Sequence, residues 1–147
     1  METSESDTCT LAGLRVIIVE DEAMLALCLG EVIEDEGGVV AGVAETVAAA
    51  RVLVASATFD VAIIDLHLHG QQADDVAESI IRSGRAIIIS TGSDASEVPA
   101  RFQEWPILRK PYKDAEIFSA IRSAAESAGS VVRLDPQNLI AAWRRNY

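Results

Sequence analysis

The chain has 147 residues and a formal net charge of -11, from 23 acidic and 12 basic residues, a size that suits one domain with a sizeable core and short tails. Such acidity argues against a nonspecific hold on nucleic acid or on an anionic membrane, both of which require a basic face. No apolar stretch approaches the roughly 20 residues that cross a bilayer, and the opening METSESDTCT has neither a basic start nor an apolar run; with only Cys9 and Cys28, a reducing cytoplasm is the expected setting.

Taken in order, Leu14 to Val19 (LRVIIV) is a short β-branched run that reads as a strand buried on both faces. From Glu22 to Glu36, Leu25, Leu29, Val32 and Ile33 recur at helical spacing, and Gly37 and Gly38 stop the helix. Val39 to Val43 is a weaker strand, followed by an alanine-rich helix over residues 45 to 57. A third strand, Val61 to Ile64, ends at Asp65; after a loop HLHGQQ, expected to lie flexibly over the strand ends, residues 73 to 83 form a helix. Ala86 to Ile89 is a fourth strand that stops at Ser90, Thr91 and Gly92. The polar stretch from Ser93 to Trp105 contains Pro99, so its helix should be short or irregular. Ile107 and Leu108 make a brief fifth strand before Lys110 and Pro111, and residues 113 to 127 form the last core helix. Five alternations of strand and helix predict a doubly wound α/β fold with a five-stranded parallel sheet.

In such sheets function gathers beyond the carboxyl ends of the strands. Glu20, Asp21, Asp65, Thr91 and Lys110 all fall there. Crowded carboxylates repel unless a cation answers them, and magnesium, with its preference for oxygen ligands and retained waters, is the natural choice. Asp21 and Asp65 can ligate it directly, Glu20 through water, and the backbone carbonyl of His67 is within reach. No organic cofactor is expected. Asp65 is also a candidate nucleophile toward a phosphoryl group, with Lys110 neutralising the oxygens and Thr91 binding them.

These motifs resemble the bacterial two-component response-regulator receiver domain, of the single-domain, CheY-like kind. The matching residues are the acids of VEDE after the first strand, Asp65 closing VAIID, Thr91 in IIISTG, and KPY at Lys110, Pro111 and Tyr112. The resemblance spans about residues 12 to 127, and it implies that Asp65 takes a phosphoryl group from a histidine kinase or a histidine phosphotransfer protein. Magnesium would be held by Asp21, Asp65 and the His67 carbonyl and arranged by Glu20. A cis bond before Pro111 would aim Lys110 into the pocket. The chemistry implied is magnesium-dependent self-phosphotransfer and autodephosphorylation only, not that of an enzyme, and the output is a protein contact with a downstream target.

The chain departs from the family pattern where the signal is passed on. Receivers commonly carry an aromatic residue three positions before the lysine; Ile107 stands there, so an aromatic swing is not expected. Gly92 follows the hydroxyl residue, as in stand-alone receivers in which loop rearrangement dominates. A phosphohydrolase built on the same kind of sheet would call for a DxD signature after the first strand, which Glu20, Asp21 and Glu22 do not supply. His67 and His69 lack further ligands for a transition metal. A module that binds its partner regardless of phosphorylation is the alternative.

The domain is expected over residues 12 to 128, between a leader at 1 to 11 and an extension at 129 to 147. In the extension, Asp135 and Pro136 are a helix start, and Leu139, Ile140, Trp143 and Tyr147 form an apolar stripe with Arg144 and Arg145 beside it. That helix either docks on its own domain or serves a homodimer or partner contact, with Trp143 in the output role.

Overall fold

A computed structural model describes residues 11–127. Residues 1–10 and 128–147, and with them Cys9, Trp143 and the helix expected after Asp135, lie outside the described residues. Strand β1 (Arg15–Val19) is followed by α1 (Ala23–Asp35), β2 (Val39–Ala44), α2 (Val47–Ser56) and β3 (Val61–Asp65). A two-residue pair, β4 (His67–Leu68) and β5 (Gln71–Gln72), precedes α3 (Asp74–Arg82), β6 (Ala86–Thr91), β7 (Ile107–Arg109) and α4 (Asp114–Ser127).

The main sheet has the order β2-β1-β3-β6-β7, with every neighbouring pair parallel. This is the five-stranded doubly wound arrangement expected from the alternation. Strand β1 separates β2 from β3, so strand order reverses around it and opens a crevice at the carboxyl ends of β1 and β3. Glu20 follows one of those ends and Asp65 closes the other.

The unbroken apolar runs are explained by burial on both faces. Val16 and Ile18 of β1, Val61 and Ile63 of β3, and Ala86 and Ile88 of β6 face one cluster, which is completed by Leu29 and Ile33 of α1 and Ile117 and Ile121 of α4. The alternate residues Ile17, Val19, Ala62, Ile64, Ile87 and Ile89 face the other, against Ala50 of α2, Val76 and Ile80 of α3, and Phe102. Truncating one of these fully buried isoleucines to alanine costs about 2–5 kcal/mol, so the strand ends are held by a stiff frame. Leu11, assigned to the leader on sequence, is only 1 % exposed and belongs to the first cluster.

Two connections differ from ordinary helices or loops. The HLHGQQ segment is an antiparallel hairpin, β4 with β5, whose turn residues His69 and Gly70 both have positive φ (49° and 79°). Such a two-residue turn matches the twist of its strands, which is why this segment pairs as a hairpin and is not an irregular loop. Between β6 and β7 the chain makes two 3₁₀ turns, Ala95–Glu97 and Ala100–Phe102, in line with the short or irregular helix expected around Pro99. Gln103 Nε2 donates to the carbonyls of Ala95 (3.0 Å) and Val98 (2.7 Å). Arg101 pairs with Asp74 at 3.2 Å and with Glu78, tying the second turn to α3.

Candidate functional site

The first strand ends in Val19, and its successor Glu20 is drawn into the crevice: it is 2 % exposed. Burial disfavours its anionic form and pushes its carboxyl above the usual range, against the opposing pull of the Glu22 N–H and of Lys110. Glu22 N–H donates to Glu20 Oε2 at 3.1 Å, and Glu22 opens α1 without a side-chain cap. The acids here are therefore more than a helix cap: Glu20 is turned inward. Asp21 accepts the His69 N–H at 2.9 Å, and that bond above all holds its carboxyl below the usual range.

Asp65, the last residue of β3, is 8 % exposed. Its Oδ1 accepts the His67 N–H at 2.9 Å, and its Oδ2 lies 2.7 Å from Lys110 Nζ. Lys110 follows β7, and its N–H donates to the Thr91 carbonyl at 2.8 Å. The Lys110–Pro111 peptide is cis, as the family resemblance implied. The ammonium also lies 3.3 Å from Glu20 Oε2 and 3.2 Å from Oε1. Burial alone would depress the Lys110 pKa, but the hydrogen bonds and charges of Asp65 and Glu20 outweigh it and raise the pKa. One cation thus bridges two buried carboxylates.

Carboxylate oxygens of Glu20, Asp21 and Asp65 lie within 4.8 Å of one another. Glu20 Oε1 is buried and accepts no hydrogen bond, its approach to Lys110 lacking the geometry for one. An orphaned anionic acceptor inside a cluster of hard oxygen ligands fits a divalent cation.

Thr91 stands at the end of β6, at the rim, where its Oγ1 accepts the Ser93 N–H at 3.0 Å. Gly92 is exposed with open space where a Cβ would point. Ile107 pairs with Ile89 across β6 and β7 and packs on the α2 and α3 side of the sheet, away from the acids. The structure therefore brings Glu20, Asp21, Asp65 and Lys110 together, sets Thr91 beside them through its carbonyl, and leaves Ile107 and Gly92 on the segment leading away. Three groups escaped the sequence reading. The His69 N–H reaches Asp21 only because the hairpin folds back, a bend that Gly after His could have signalled. The Ser90 and Tyr112 hydroxyls lie 3.2 Å apart, joining β6 to the chain after the lysine; nothing local marks that pair.

Comparison with known proteins places the chain among signalling domains. Residues 16–122 match the family model of the response regulator receiver domain. The solution structure of SdrG from Sphingomonas melonis Fr1 is similar at 30% identity and TM-score 0.69, covering 76% of this chain and 96% of that one. The CheY-like receiver from Methanospirillum hungatei JF-1, at 19% identity, covers 81% of this chain and 98% of its own with TM-score 0.70. PhyR from Brucella abortus, at 22% identity and TM-score 0.72, aligns over 90% of this chain but 56% of its own length. No curated protein matches.

Proposed function

Because the chain belongs to the response regulator receiver domain family, we propose that it is a phosphorylation-switched signalling domain whose phosphoacceptor is Asp65. The observation that carries this reading is the contact of Lys110 Nζ with Asp65 Oδ2 at 2.7 Å, inside a cluster of carboxylates suited to a cation.

A carboxylate oxygen of Asp65 attacks the phosphorus of a phosphohistidine on a histidine kinase or phosphotransfer protein. The new O–P bond forms as the N–P bond breaks, and the donor imidazole leaves with the electron pair and takes up a proton. Lys110 is placed to balance the charge that the phosphoryl oxygens bring, and Thr91 exchanges its bond to the Ser93 N–H for one to the phosphoryl group. Asp21, Asp65 and the His67 carbonyl would hold magnesium, with Glu20 acting through water; when bound, the ion supplies charge neutralisation of the phosphoryl oxygens. The cycle ends when water hydrolyses the acyl phosphate, restoring the Asp65 carboxylate and releasing inorganic phosphate, and the setting is the cytoplasm. Output passes by protein contact from the receiver, residues 12 to 128, flanked by the leader and the extension.

Asp65→Asn should abolish acid-labile phosphate incorporation from a small phosphodonor in magnesium, read as a mass increment; undiminished labelling of that variant refutes the assignment. SdrG has a BeF3-activated conformation, and that structure is also 30% identical to this chain with TM-score 0.66, so beryllofluoride is the mimic of choice. Ile107, an aliphatic residue packed in the sheet, favours a second reading in which binding is independent of phosphorylation. That reading gains if beryllofluoride changes neither partner affinity nor oligomeric state.

A further inference from the structure

Helix α1 packs on β1 and edge strand β2 and touches α4 on its other flank. Between α1 and β2 runs an open groove of about 380 Å³, with the buried Ile18 and Ala26 at its base, Leu27, Val40 and Val43 along its walls and Glu31, Glu34 and Glu45 around it, reaching Glu20 of the acidic site. Its apolar groups are unusually bare: Met24 beside it is 72 % exposed, Leu27 57 % and Val43 54 %. Gly30, in the middle of α1, keeps the floor open. An alanine there would favour the helix, and its Cβ would meet Val40 Cγ2 at an unstrained 3.6 Å.

The acidic rim selects the occupant. A second copy of the same face would oppose glutamates with glutamates, whereas residues 135–147 combine Leu139, Ile140, Trp143 and Tyr147 with Arg144 and Arg145. The hollow between β7 and α4 carries Arg109 with Glu116 and offers this basic segment no such complement. Reach is sufficient. Both α1 and α4 run back to the amino edge of the sheet, so Glu34 and Ser127 lie at the same end of the domain. Residues 128 to 134 extend to about 23 Å, twice the roughly 10–12 Å breadth of the helix to be crossed. We propose that residues 135–147 of this chain lie in the groove between α1 and β2 in cis, with their apolar stripe on Leu27, Val40 and Val43 and their arginines toward the glutamate rim.

The chain has two tryptophans, so subtracting the emission of Trp143→Phe from that of the full chain isolates Trp143. The expected difference spectrum is blue-shifted from that of the denatured chain, shielded from acrylamide and independent of protein concentration. Leu27→Glu and Val43→Glu, each at a surface position, should red-shift it and raise quenching several-fold. Arg144→Glu with Arg145→Glu should do the same, and adding Glu31→Lys with Glu34→Lys should restore the shift. A spectrum like that of the denatured chain, or one indifferent to both groove substitutions, overturns the proposal. So does a blue shift that appears only as the mass doubles, which would assign the groove to a second copy's segment.

Discussion

Replacing Lys110 with methionine keeps the aliphatic stem and deletes the one charge shared by Asp65 and Glu20. The lysine side chain is 18% exposed, that of Asp65 11% and that of Glu20 1%, so little water is at hand to replace the ammonium. Removing one partner of a buried pair costs about 3–5 kcal/mol. Part of this is recovered, because Asp65 keeps the His67 N–H and Glu20 keeps the Glu22 N–H. A loss of about 2–3 kcal/mol is expected in chelator at pH 7.5, or roughly 6–15 °C in Tm. The pH dependence follows from the direction of each shift. The Lys110 pKa is raised on folding, so its contribution is complete below the unfolded value and is lost only as pH rises through the folded one; at pH 7.5 the wild type has all of it. The Glu20 pKa is raised too, so its protonated form favours the fold and its ionisation weakens the fold as pH rises through the folded value. Without Lys110 that value climbs further, and the deficit of the variant should shrink between pH 8 and pH 5. Magnesium should raise the Tm of Lys110→Met more than that of the wild type, since the ion no longer meets a competing cation. Thermal denaturation by circular dichroism, with and without magnesium across that pH range, is the assay. Equal Tm values in chelator at pH 7.5 and equal magnesium shifts would refute the reasoning.

Tyr112→Phe strands the Ser90 hydroxyl, which is 1% exposed, and should cost about 1–2 kcal/mol in urea denaturation with unchanged m. Gly70→Ala meets no steric obstacle but must hold φ near 79°; a loss of about 1 kcal/mol and weaker magnesium binding by titration calorimetry should appear together, since the same turn delivers the His69 N–H to Asp21. Arg101→Ala breaks half-exposed pairs with Asp74 and Glu78, so global stability should change by less than about 1 kcal/mol while amide exchange accelerates across residues 94 to 103.

What was legible in the sequence was whatever repeats with a period or sits at the end of a run. The strand ends at Asp65 and Thr91 and the Lys110-Pro111 pair are of that kind, because β-branched runs buried on both faces tell where the sheet stops. Contacts made by backbone atoms across long separations were not legible. The bond from His69 N–H to Asp21 spans 48 residues and depends on two positive φ angles rather than on side-chain type. The small hairpin is too short for an alternation pattern to register, so its sequence has the look of a loop. Leu11 shows a related limit: one apolar residue before Gly13 has no periodicity to declare that it belongs to the core.

The bridge made by Gln103 has a mechanical meaning. In a helix, the carbonyls of a turn are satisfied by successive backbone amides, and pulling one residue out leaves the others fastened. Between β6 and β7 the backbone bonds span single turns, as from the Val98 N–H to Ala95 and from the Phe102 N–H to Pro99, and the Gln103 side chain links the carbonyls of Ala95 and Val98, so the segment is fastened turn by turn and not by one continuous ladder. Each turn can then loosen without unravelling its neighbour, while the buried Phe102 keeps the second turn seated on the core, so adjustment directly downstream of Thr91 need not disturb the sheet.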